Sequence, residues 1–197
     1  MRRMFGMLKT LLHETNENEF NKLFSRIEKY ENISDSMELE IANYLNKVSE
    51  GRLSSESKLE IRGMLREVTE IESIGDSCYN LARTINRKRS GGNDFTEKQY
   101  EHIHQMMQLT DDALAQMIAI VEDDYHVVDV NKTFNLENEI NNYRAQLKNQ
   151  NVVDVNNKEY DYQMGVHYMD LIGECEKLAD YVVNVVEART NVKEKKA

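Results

Sequence analysis

Three observations predict an all-α fold of two tandem antiparallel three-helix bundles related by internal duplication. The 197 residues contain no proline and only 8 glycines, so long stretches carry no helix breaker. Apolar residues recur at spacings of three and four along several long segments. An acidic pattern late in the first half, Glu72 and Asp76 followed by Asn80, returns as Glu176, Asp180 and Asn184. A repeat of about 105 residues is the length of a duplicated domain, not of a solenoid unit.

The elements follow in order. Residues 1–15 place Met4, Met7, Leu8, Leu11 and Leu12 on one helical face. Asn16-Glu17-Asn18 breaks the chain with capping character. A long helix is expected over 19–49, its apolar stripe running from Phe20 through Ile27, Ile33, Met37, Ile41 and Tyr44 to Val48. Gly51 to Ser55 turn the chain into a third helix over 56–89, which ends on the basic run Arg87-Lys88-Arg89, suited to a helix C-terminus. Ser90-Gly91-Gly92-Asn93-Asp94 is the clearest linker. It divides a first repeat, 1–90, from a second, 91–197.

In the second repeat Asp94 and Glu97 resemble a capping box for a helix over 96–121. Glu122-Asp123-Asp124 ends it, and a further helix reaches about Lys148. Asn149 to Asn157 has no helical period and is expected to be a loop. A last helix is expected over 158–190, with a frayed charged tail from Asn191 to Ala197. The first helix is much shorter than its counterpart over 96–121, as in a segment of a longer protein or a unit with a shortened first helix.

Composition narrows the function. A formal net charge of -10 disfavours nucleic acid and anionic membrane surfaces, and favours metal cations or basic partners. Cys78 and Cys175 lie in apolar segments without CxxC spacing, as reduced structural thiols do in a cytoplasmic protein. The N-terminal segment has a basic start, but Lys9, Thr10, His13 and Glu14 interrupt it, so no signal peptide or membrane span is expected. His13, His102, His104, His126 and His167 form no ligand spacing. No phosphate-binding glycine loop, GxSxG or HExxH motif occurs, and no nucleophile stands beside a base. Only one Glu-x-x-His occurs, Glu101 to His104, where a ferritin-like di-iron site needs two, so that reading is disfavoured.

The acids carry the most specific signal. Glu72 and Asp76 are matched on the preceding helix by Glu31 and Asp35, and in the second half by Glu137 with Asn141 and Glu176 with Asp180. Residues four apart lie about 40° apart on one helical face. Each first acid falls at the margin of an apolar stripe, where it approaches acids of the neighbouring helix. Carboxylates at close range repel unless protons, basic side chains or a cation intervene. An oxygen-coordinated divalent or trivalent metal ion is therefore the expected cofactor, with a solvated helix face as the bland alternative. Asn141 offers a weaker ligand than a carboxylate, so the first half is the stronger candidate.

The repeated unit with Ile-Glu-Ser-Ile-Gly-Asp at 71–76 and Glu-Lys-Leu-Ala-Asp at 176–180 resembles the PhoU family. Asn80 and Asn184 fall where that family's motif has asparagine, while Ser73 and Lys177 stand where it has arginine. The run Phe24 to Arg89 is most similar to the PhoU-like cytoplasmic tail of bacterial sodium/phosphate cotransporters. The resemblance implies a non-enzymatic regulator of phosphate uptake with iron or zinc held by E(D)xxxD motifs, manganese and nickel being alternatives. It implies Glu31, Asp35, Glu72 and Asp76 as ligands in the first half, and Glu137, Glu176 and Asp180 in the second. The expected partner is the membrane domain of a phosphate transporter or a phosphate-signalling protein, with a homodimer among the assemblies. The expected location is the cytoplasm, or the inner membrane by tethering to a transporter. A stand-alone signalling regulator, a purely structural oligomerising bundle and a metal-dependent hydrolase remain as other readings.

Overall fold

The computed structural model describes residues 1–91, 93–123 and 128–194, the last four as backbone only. Gly92, Asp124, His126 and tail residues 195–197, named above, lie outside them. Six helices make up the described chain: α1 (Arg2–Leu11), α2 (Glu17–Ser49), α3 (Ser55–Ser90), α4 (Glu97–Val121), α5 (Asn131–Asn156) and α6 (Tyr162–Glu194). None is long and apolar enough to cross a membrane.

The caps show why the helices begin where they do. Asn16 accepts from the backbone N–H groups of Asn18 and Glu19 at the start of α2, at 2.9 and 3.2 Å. Ser54 accepts from the Ser57 N–H at the start of α3. Arg89 donates to the carbonyls of Glu14 and Thr15, which fixes the turn after α1. That helix stops at Leu11 and does not continue to residue 15. The capping box before α4 is Thr96 with Gln99, two residues beyond the expected Asp94 and Glu97. Asp94 is engaged elsewhere, with Lys88, the Tyr100 hydroxyl and the Phe95 N–H.

Two expectations fail in the second half. Residues 149–156 are helical and extend α5. Gln150 donates to Asp154 one turn on, and the Tyr160 hydroxyl donates to Asn151, so tertiary packing overrides the weak propensity of asparagine. The chain reverses only at Lys158, whose φ of 61° is the left-handed step that closes a helix. α6 begins at Tyr162, and its backbone stays helical to Glu194, where a frayed tail was expected.

α3 and α6 form the most extensive helix pair and run antiparallel. Arg66 meets Glu187 at one end of the pair, and Arg87 meets Asp170 at the other. Asn80 donates to Glu174, and Asn184 donates to Glu70. Under the repeat Asn80 corresponds to Asn184 and Glu70 to Glu174, so these two straps are symmetry equivalents. Between them lies a continuous apolar core that includes Ile74, Leu81 and Ile85 of α3 with Leu171, Leu178 and Val182 of α6. Cys78 and Cys175 are free and fully buried there, and burial pushes both thiols up to about 12. α1 and α2 flank this spine on one side, α4 and α5 on the other.

The apolar stripe of α2 is only partly covered. Phe20, Ile27 and Leu45 are buried, but Ile33, Met37, Ile41, Tyr44 and Val48 are exposed, Met37 by 55% and Tyr44 by 68%. The cause is local: α1 has only ten residues, so it leaves much of α2 without a neighbour on that side.

Candidate metal centre

The first acid group is built where α2 crosses α3. Carboxylate oxygens of Glu31, Asp35 and Asp76 lie within 4.8 Å of one another. No other group of three or more potential ligand residues comes this close among the described residues. Glu31, Asp35 and Glu72 are half-buried, and Asp76 faces solvent. Glu72 is hydrogen-bonded to Asp76 and stands close enough to Glu38 and Asp35 to be repelled by both. No lysine or arginine makes an ion pair with Glu31, Asp35, Glu72 or Asp76 among the described residues.

This arrangement has an electrostatic cost. Burial, then repulsion by Asp76, Glu38 and Asp35, raises the Glu72 carboxyl from 4.5 to about 7. Burial and the charges of Asp35 and Asp76 raise Glu31 as well. Asp35 Oδ1 is buried and has no hydrogen-bond partner among the described residues. Oxygen donors at close range, one of them orphaned, fit a hard or borderline cation. Tyr79 donates to Glu28 and Thr69 to Glu38, whereas from hydroxyls the four candidates receive only a long 3.4 Å bond, from Ser73 to Glu72, among the described residues.

A pH dependence follows. The folded chain holds the Glu72 proton more tightly than the unfolded chain does. Its contribution to stability is fully present below about pH 4.5 and is lost as the pH rises through about 7. Metal-free protein is expected to lose about 1 kcal/mol between pH 5 and pH 8, after allowance for screening at a partly exposed carboxyl. Glu72→Gln should flatten this slope in urea denaturation; an unchanged slope would place the titrating group elsewhere.

The second acid group differs in chemistry. Glu137, Asn141, Glu176 and Asp180 occupy the matching positions, with the same pattern of burial. Asn141 donates to Glu137, which ties one carboxylate up internally. Arg144 Nε stands 3.6 Å from Glu176 Oε2. Burial raises Glu176 and Asp180, and Arg144 opposes the rise in each. Arg144 is the repeat equivalent of Glu38, seven residues after Glu137 as Glu38 is seven after Glu31. The first group therefore has five carboxylates, and the second has three, an amide and a guanidinium. The second residue set already contains a cation and fits an added metal poorly.

Sequence reasoning singled out neither Glu38 nor Arg144, although the repeat offset marks both. Asn80 and Asn184, which extend the acid motif in sequence, are not at the carboxylates but strap α3 to α6. Of the histidines, His13 and His104 are brought together, with their Nε2 atoms 2.5 Å apart. Lys88 lies close enough to depress His13 further, so this pair is set against a cation. His102 bonds the Tyr168 hydroxyl.

A duplicated pair of three-helix units, with acid pairs facing each other where the second and third helices cross, defines a class of duplicated helical-bundle domain. The PhoU domain model matches residues 1–85 and 103–188, and the chain belongs to the PhoU domain family. It shares its fold with the phosphate transport system regulatory protein PhoU from Streptococcus pneumoniae, at a TM-score of 0.73. That match is 16% identical and covers 98% of this chain and 92% of that one. No curated protein matches the chain.

Proposed function

We propose that the chain is a PhoU-type regulator of phosphate transport whose first half takes up a metal cation between α2 and α3. The close carboxylates of Glu31, Asp35 and Asp76, with Glu72 hydrogen-bonded to Asp76 beside them and no basic ion-pair partner among the described residues, carry the metal reading. Membership of the PhoU domain family supports the reading as a PhoU-type regulator. The role is non-enzymatic and cytoplasmic, exercised on a phosphate transporter or its signalling partner.

Iron or zinc is the leading candidate, with manganese and nickel behind. When bound, it would supply positive charge that neutralises the group. The chain's own residues do the rest. Glu31 and Asp35 project from α2, and Glu72 and Asp76 from α3, so satisfying all four joins two helices that otherwise repel there. Glu72 gives up its proton as the charge is satisfied. The expected consequence is a stiffer α2–α3 pair, and any surface those helices present becomes sensitive to cation.

Calorimetric titration with iron, zinc, manganese and nickel tests the site. One tight site per chain is expected, lost in Glu72→Ala/Asp76→Ala, with at least a hundredfold weaker affinity. The same variant should mis-set phosphate uptake in cells that depend on this chain. Binding that persists in the double variant would overturn the metal assignment; normal uptake in cells lacking the chain would overturn the regulatory one.

A further inference from the structure

We infer that the open side of the α2–α3 pair is a docking groove for a basic amphipathic helix of about fifteen residues contributed by a partner protein. The groove has a volume of about 440 Å³ and is walled by Ile33, Met37 and Ile41 of α2 and by Val68 and Ile71 of α3. Met1 and Met4 close one end, where α1 stops. Tyr44 and Val48 continue the stripe at helical spacing and are exposed.

The second half shows what shape belongs there. Under the repeat, Met37 and Ile41 correspond to Tyr143 and Leu147. Leu147 is 4% exposed, whereas Ile41 is 36% exposed. The Tyr143 ring packs on His102, from the N-terminal part of α4. The cover is therefore helix. α4 has 25 residues and α1 has 10, and the first turns of α4, with Lys98 at Asp154 and His102 at Tyr143, have no counterpart in α1. The bare stripe on α2, from Ile33 to Val48, spans 16 residues, or about 22 Å of helix. One helix of that length, laid where α4 lies in the other half, would cover it.

Charge selects the occupant. Glu38 and Glu72 stand on the rim of the groove, beside Glu31, Asp35 and Asp76. A second copy would bring the same acidic rim and the same net charge of -10, and like charges at a shared face repel. A helix with lysine or arginine flanking its apolar face meets the apolar walls and answers the rim together.

The probe is a labelled synthetic peptide of residues 97–111, the N-terminal part of α4, whose first turns lie in this place in the second half. It carries Glu97→Lys, Glu101→Lys and Asp111→Lys, and its binding to the whole chain is read by fluorescence anisotropy. Saturable binding is expected. It should weaken at least tenfold with the unsubstituted acidic peptide, and at least tenfold with Met37→Glu/Ile41→Glu protein. Tyr44→Glu, at the far end of the stripe, should weaken it several-fold without changing the melting temperature, because that side chain is largely in solvent. No binding, or equal binding by the double variant, would overturn the groove. Equal binding by the acidic peptide would overturn its preference for basic helices. Sedimentation showing a wild-type dimer that Tyr44→Glu dissociates would give the groove to a second copy instead.

Discussion

Arg144→Glu is expected to give the chain a second cation site and to weaken the metal-free fold. The substitution restores at 144 the carboxylate that Glu38 supplies in the first half, and removes the one positive charge standing 3.6 Å from Glu176. Four carboxylates then face one another: Glu137, the new glutamate, Glu176 and Asp180. Glu176 and Asp180 are already raised by burial, and Arg144 holds both down. Without it they should rise further, so the loss of stability should be about 2 kcal/mol at pH 8 and smaller at pH 5. Added zinc or manganese should recover that loss, and calorimetry should count two sites per chain where one is expected for the native protein. Arg144→Gln separates the effects: it removes the charge without adding a ligand, so it should destabilise less and bind no second ion tightly. A stoichiometry unchanged in Arg144→Glu would show that the guanidinium is not what keeps a cation out of the second half.

That asymmetry was half legible in the sequence. Asn141 opposite Asp35 marked the second group as the poorer one. The stronger reason, Arg144 opposite Glu38, lay in the same repeat offset but outside the ExxxD pattern that drew attention. The helical class was legible because periodicity and the absence of proline are local properties, read one helix at a time. The extent of α5 was not, since residues 149–156 are held helical by contacts with Tyr160 and with the start of α6, which no local pattern encodes. The fate of Met37 and Ile41 was not legible either. An apolar stripe says that a face can be buried; whether it is depends on the length of the helix laid against it, and α1 is too short. Asn80 and Asn184 make the same point for polar residues. Their spacing from the acids aligns them with the motif along the helix, but their partners are glutamates on the other half.

Ile74→Ala in α3 and Leu178→Ala in α6 should each cost about 3 kcal/mol and lower a single, shared unfolding transition. Both side chains are fully buried, and under the repeat they occupy equivalent positions. Truncating either removes transfer energy and leaves a cavity in the α3–α6 seam, the least adjustable part of the core. The seam is the most extensive helix pair in the molecule, and its apolar core is continuous from α1 to α6. Neither half can therefore lose its long third helix without exposing the apolar face of the other. Urea denaturation followed by circular dichroism should show one cooperative step in the native chain and in both variants, with the midpoint lowered and the slope unchanged. Two steps, of which Ile74→Ala moves one and Leu178→Ala the other, would mean that the halves fold as independent bundles. The distinction bears on regulation. In one cooperative unit, a cation that joins α2 to α3 in the first half stabilises the second half as well, through the seam strapped by Asn80 and Asn184.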